Sequence, residues 1–201
     1  MISGLTILLG FPAPIILALM INEVKNSAFK RTVQTITYMP YFISMVVMCG
    51  LLKTFCMQDG LFSQIAMAFG GSGQNFLANP DYFRTIYVLS DIWSGIGWNS
   101  IIYLAALSSI DQEQYEAARV DGANRFKQMI HITLPGLVPT IMVLFILRMG
   151  NILNVGYEKI LLLYNSATYI TADVISTYTY RLSFQSQPRL DYSTPLSMFS
   201  S

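Results

Sequence analysis

The chain has 201 residues, 53% of them hydrophobic and 11% charged, with a net charge of +1 at pH 7. Soluble domains carry roughly 25% charged residues, so this composition excludes a water-soluble globular domain and points to a helical membrane protein. The near-zero charge balance leaves no basic footprint for nucleic acid.

Residues 1–22 carry no charge, and about 20 apolar residues suffice to cross a bilayer as a helix. They predict a first span, kinked at Pro12 and Pro14, with freed carbonyls left for neighbouring helices to satisfy. No basic leader or small-residue cleavage site accompanies it, which argues against a signal peptide. Lys25, Lys30 and Arg31 mark the following link as cytoplasmic by the positive-inside rule. A second span is expected over 32–54, with Pro40 near its start. Cys49 and Cys56 fall in it seven residues apart, a helical separation of roughly 10 Å at 1.5 Å per residue. A disulfide needs Cα atoms within about 7 Å, so free thiols are expected. From 55 to 84, glycines at 60, 70, 71 and 73 and the pair Asn79-Pro80 read as an outer loop, with a short amphipathic helix near 61–69. A third span is expected over 85–109. Asp91 lies in its outer third, and Ser94, Gly95 and Gly97 form a small-residue face suited to close helix packing.

Residues 111–135, DQEQYEAARVDGANRFKQMIHITLP, form the most polar block in the chain. With apolar runs on both sides, the block reads as a cytoplasmic loop, 110–135, between membrane helices. Asp111 followed by Gln114 fits a capping box, and Glu113 and Glu116 suit a first helical turn. Gly122 ends that helix by taking the left-handed conformation. A second short helix starts from Asp121 or Asn124, presents Phe126, Met129, Ile130 and Thr133 on one face, and stops at Leu134-Pro135. The product is a bent hook whose corner, built from Ala117, Ala118 and Gly122, lets another protein approach closely. A fourth span is expected over 136–157, with Pro139 in its first turn and Arg148 about midway. Residues 158–191 read as an outer surface or re-entrant segment, and 192–201 as the opening of another span.

Within the hook, Glu116-Ala117-Ala118, Gly122, Ile132, Leu134 and Pro135 match the EAA motif of binding-protein-dependent ABC importer permeases, EAA---G---------I-LP, at every fixed position and in both gaps. FKRTVQTITY at 29–38, SIIYLAAL at 100–107, GNILNVG at 150–156 and ADVI at 172–175 resemble the LplB-like branch, whose members are of the polysaccharide type. The resemblance covers nearly the whole chain. It implies an all-α, type I ABC importer permease-like helical bundle in the bacterial plasma membrane, with one transmembrane permease domain over 1–201. It also implies a fragment that lacks an N-terminal span and most of the last span. On this resemblance the hook, with Asp121 beside Gly122 at its corner, is the coupling helix that docks on a cytoplasmic ABC ATPase dimer. A second permease subunit and an extracytoplasmic sugar-binding protein complete the expected partners, with membrane lipid around them. Solute import is expected, of oligosaccharides or polysaccharide fragments, without catalysis by this chain.

Beyond the hook, charge inside a span draws attention. A mid-bilayer Arg148 costs at least about 2.5–3.5 kcal/mol on insertion scales, so a partner is expected, and Asp91 is the candidate. Two readings stay open: a structural Arg148–Asp91 bridge, or a polar wall of a translocation path continued by Asn151 and Asn154. Trp93, Trp98 and Tyr103 would give such a path its aromatic faces. His131 is the single histidine and reads as solvent-facing or at the partner contact. The sequence holds no G-x-x-x-x-G-K-S/T phosphate loop, H-E-x-x-H or G-x-S-x-G, and no paired-cysteine metal spacing, so no cofactor or metal is expected. Alternatives are a permease for a non-sugar solute, an ion-gradient-driven transporter relying on Asp91, and a membrane scaffold.

Overall fold

The structure is a computed structural model and describes residues 2–152, 156–165 and 167–184. Every regular element among them is helical. Asn154, and the expected start of a span at 192–201, lie outside the described residues.

Helices α1 (Ile2–Gly10) and α2 (Pro12–Glu23) meet at Phe11. Pro12 opens α2, where a missing N–H leaves no bond unmade, so the expected kink takes the form of a helix boundary. Asn26 caps α3 (Ser27–Tyr38) by accepting from the Ala28 and Phe29 amides at 3.0 and 3.1 Å. One uninterrupted helix over 32–54 does not form. A 3₁₀ turn, Met39–Phe42, ends α3, and α4 (Met45–Cys56) starts afresh with Ser44 as its N-cap. Pro40 supplies no amide to a continuing helix, and the Ser44 hydroxyl accepts from Val47 N–H at 3.4 Å. A short α5 (Leu61–Ala68) occupies the stretch expected as an amphipathic helix. The expected third helix forms and begins earlier than anticipated, as α6 (Pro80–Ser108).

The hook comprises α7 (Gln112–Val120) and α8 (Arg125–Gln128). A π-helical turn, Met129–Thr133, then leads without a break into α9 (Leu134–Gly150). Leu134-Pro135 therefore does not stop the second hook helix as expected. The wide turn moves the hydrogen-bond register, with Leu134 N–H donating to Met129 O, and proline is accommodated at the start of α9. The outer segment holds α10 (Tyr157–Leu163), α11 (Tyr169–Ala172) and α12 (Ile175–Phe184).

Among the described residues, three stretches are long and apolar enough to cross a membrane: Ile2–Glu23, Met45–Ala68 and Arg125–Gly150. Only 11% of the apolar window in Arg125–Gly150 is buried inside the protein, and Leu8, Ile16, Met20, Val143, Ile146 and Leu147 are exposed. Apolar surface this extensive needs lipid or other protein to cover it. Helix α6 also has the length to span, at about 1.5 Å per residue against a core of about 30 Å. Asp91, Asn99 and Ser100 dilute its apolar character.

The chain forms two compact units. The first holds residues 7–41 and 92–150. Its core is Ala18, Tyr103, Leu107 and Leu137, lined by Ile15, Leu19, Leu104, Ile141 and Leu144. Phe11 meets Phe145 edge to face at 5.3 Å. The Gly97 backbone lies so close to α3 that a Cβ there would stand 2.0 Å from Thr37 O. The small-residue face expected on α6 is thus used for close packing at Gly97. The second unit holds residues 2–6, 42–91 and the described residues from 151 onward. Met48, Cys49, Leu52, Cys56, Phe83, Tyr87, Ile160 and Leu163 are buried in it. Cys49 and Cys56 are free thiols, as their spacing requires.

Candidate functional site at the 111–135 hook

Local chemistry builds the hook. Asp111 caps α7, its carboxylate accepting from Glu113 N–H at 3.0 Å. The cap is as expected, although its bond goes to Glu113 rather than to Gln114. At the other end Ala123 N–H donates to Ala118 O at 2.8 Å and Gly122 N–H to Arg119 O at 3.1 Å. These two bonds make a complete Schellman motif. Gly122 has φ +75°, where any other L-residue is strained, and the space around it is open. Glycine is therefore favoured here for its backbone conformation and not for room. Asn124 then caps α8, accepting from Lys127 N–H at 2.9 Å, and Gln128 Nε2 donates back to Ala123 O at 2.8 Å. These bonds fix both the bend and the direction of the second arm.

Much of the hook is exposed. Val120 is 88% exposed and Phe126 64%, with Ile130, Glu116, Ala117, Asp121 and Gly122 also at the surface. Ala118, Ile132 and Leu134 are half-buried, and Pro135 is exposed. Large apolar side chains at the rim of a charged loop, next to a corner without bulk, are the pattern of a docking surface. The hook is also anchored: Arg125 reaches Glu23 at the end of α2 at 3.3 Å in an exposed ion pair, and Tyr115 Oη meets Thr133 Oγ1 at 3.0 Å. His131 is exposed, its Nδ1 3.0 Å from Lys127 O.

The residues expected to line a path are placed differently from one another. Trp93 and Trp98 are exposed, and Trp98 stacks on Tyr41 with ring centroids 4.6 Å apart and planes 4° from parallel. Tyr103 is 3% exposed and packs in the apolar core of the first unit. Helix α9 ends at Gly150, so Arg148 lies in its last turn and not midway along a span. Near helix-terminal carbonyls a cation is favoured. Asn151 is exposed just beyond.

The second unit contains a charged contact that sequence reasoning missed. Lys159, on α10, is 1% exposed and lies 3.4 Å from Asp91. Its ammonium also donates to Tyr87 O at 3.1 Å and sits 4.5 Å from the Tyr87 ring centroid. Burial pulls the Lys159 pKa below its ordinary value, while the charge and hydrogen bond of Asp91 act in the opposite direction. Lys159→Met is expected to lower stability by about 2 kcal/mol, below the usual figure for breaking a buried pair because Asp91 keeps some solvent. A thermal-unfolding series in detergent checks this, and an unchanged midpoint would count against the contact. Among the described residues no group of acidic, histidine or cysteine side chains could hold a metal ion.

The chain resembles known proteins over nearly its whole length. The family profile described as "Binding-protein-dependent transport system inner membrane component" matches residues 10–182. Protein LplB of Bacillus subtilis (strain 168) is 43% identical over 202 residues, covering 100% of this chain and 63% of that protein. The polygalacturonan/rhamnogalacturonan transport system permease protein YteP of the same organism is 42% identical over 197 residues, covering 98% and 61%. The chain thus spans less than two thirds of the length of these relatives. A chain from the crystal structure of a bacterial ABC transporter involved in the import of the acidic polysaccharide alginate superposes with a TM-score of 0.94. It is 50% identical, over 98% of this chain and 69% of that one. The same score and identity hold for a bacterial alginate ABC transporter in complex with an alginate pentasaccharide-bound periplasmic protein.

Proposed function

Because the chain belongs to the family of binding-protein-dependent transport system inner membrane components, we propose that it is part of a permease subunit of an ATP-driven ABC importer. Its solutes are oligosaccharides or polysaccharide fragments, the class to which the polygalacturonan/rhamnogalacturonan and alginate of similar transporters belong. The observation that carries this reading is the hook. It is bent at a positive-φ glycine and capped at each helix start, and it holds Val120 and Phe126 out toward a partner.

The mechanism follows from those parts. A binding protein delivers the saccharide to the outer face, and this subunit and a second permease subunit enclose the path. A separate ATPase dimer closes on ATP and pushes the hook, which moves α9 with it because the two are continuous in the chain. ATP binding and hydrolysis bias the balance between inward- and outward-open states. This chain supplies docking and conformational change, and the partner supplies hydrolysis. Trp93, Trp98, Asp91, Arg148 and Asn151 remain the candidates for the path. An ion-gradient mechanism is less well supported, because Asp91, its one candidate carboxylate, has the Lys159 ammonium as an ion-pair partner.

The test is uptake by proteoliposomes containing the full-length subunits, the ATPase and the binding protein. Accumulation of a uronic-acid pentasaccharide should require ATP and stop with vanadate. Uptake that ignores vanadate and follows an imposed ion gradient would overturn the proposal.

A further inference from the structure

The neck joining the hook to α9 is a weak place in the backbone ladder. Over Met129–Thr133 the helix widens to a π-turn, and Leu134 N–H reaches back to Met129 O. The next residue, Pro135, has no N–H to give. A helix interrupted in this way bends more readily than a regular one. A lever with a soft neck would absorb a push on its far end and pass little of it on.

One side-chain contact crosses from the first arm of the hook to that neck. Tyr115 lies on α7, and its hydroxyl meets Thr133 Oγ1 at 3.0 Å. Thr133 is 3% exposed and is the last residue of the π-turn. Its hydroxyl donates to Gln128 O at 3.4 Å, which leaves its oxygen lone pairs to accept from Tyr115. The proton order Tyr115 to Thr133 to Gln128 O is therefore consistent along the chain of bonds. It links the first arm, the end of the second arm and the neck, next to the Gln128 side-chain bond that holds the corner at Ala123 O. A half-buried hydroxyl pair between segments 18 residues apart is satisfied only while both arms keep this arrangement.

We propose that Tyr115 is a positioning residue that splints the neck, so that the two hook helices and the start of α9 turn as one rigid lever. The proposal rests on the coupling reading and adds how the push survives the π-turn. Tyr115 itself does not make the docking contact. It keeps the docked surface in fixed register with α9.

The experiment compares Tyr115→Phe, Thr133→Val and the double variant with wild type, in the full assembled complex in proteoliposomes with a uronic-acid pentasaccharide as probe. Each variant should keep the ATPase through purification and keep basal ATP hydrolysis. Saccharide taken up per ATP hydrolysed should fall about fivefold, the factor that one ordinary hydrogen bond is worth. The double variant should be no worse than Thr133→Val, because that change already removes the Tyr115 contact along with the Thr133 bond to Gln128 O. Thr133→Ser, which keeps the hydroxyl, should restore the ratio, and amide exchange over 129–134 should quicken in the uncoupled variants alone. An unchanged uptake-to-ATP ratio in Tyr115→Phe and Thr133→Val would overturn the splint. Loss of the ATPase from Tyr115→Phe would also overturn it, by making Tyr115 a docking residue. A wild-type chain that never retains the ATPase would instead overturn the coupling reading beneath it.

Discussion

Gly97→Ala should destabilise the chain severely, with the yield of intact protein and its unfolding temperature both falling sharply. The new methyl carbon would stand 2.0 Å from Thr37 O and 2.4 Å from the same residue's carbonyl carbon. Both are backbone atoms of α3, so no side-chain rotation relieves the clash. Either α3 or α6 must shift, and the Tyr41–Trp98 stack at the same junction shifts with it. Overpacking usually costs about 1–3 kcal/mol; a clash with rigid backbone belongs at or beyond the top of that range. Against a typical total stability of about 5–15 kcal/mol, that is a large loss. Gly95→Ala is the matched control. Its Cβ would meet only the Asn99 side-chain amide at 3.2 Å, which can turn away, and alanine gains up to about 1 kcal/mol of helix propensity over glycine. Thermal unfolding of both variants in one detergent checks the pair. A Gly97→Ala protein as stable as wild type would show that α3 and α6 do not approach as described.

Gly122→Glu should separate folding from function. The position is exposed and nothing lies within 4 Å of where a Cβ would point, so the variant should insert and purify at near-wild-type yield. At φ +75° a side chain costs about 1–2 kcal/mol, and the strain is relieved by opening the Schellman turn. The corner then changes angle and carries a carboxylate beside Asp121. The ATPase should be lost on purification and uptake should drop to background. Gly122→Asn should keep most of both, since asparagine tolerates the left-handed region. Normal co-purification of the glutamate variant with its ATPase would count against the hook as the docking element.

The hook was readable from the sequence because its signals are local. Asp111, Gly122 and Asn124 act on amides within a few residues of themselves, and the structure places each cap or turn where its chemistry demands. Features that depend on the register of a helix were harder to read. Pro135 looks like a stop, yet the π-turn before it lets the helix run on into α9. The break at 39–44 was hidden because apolar residues continue through it, although Pro40 and Ser44 are a helix stop and a helix start side by side. Arg148 appeared to be mid-span only because α9 was expected to reach 157. Lys159 was missed for another reason. A lysine between Glu158 and an apolar run reads as solvated, and its partner Asp91 lies 68 residues away, beyond the reach of any periodicity. The burial of Tyr103 likewise follows from packing against Ala18 and Leu137, which no local pattern announces.

A cysteine placed at Val120, the most exposed apolar residue of the hook, tests the account most directly. The natural thiols Cys49 and Cys56 are buried, so a membrane-impermeant maleimide should report the new site. Labelling of the full chain should occur only from the cytoplasmic side and should be blocked when the ATPase is bound. Labelling from the outer side, or labelling that the bound ATPase leaves unchanged, would contradict the account.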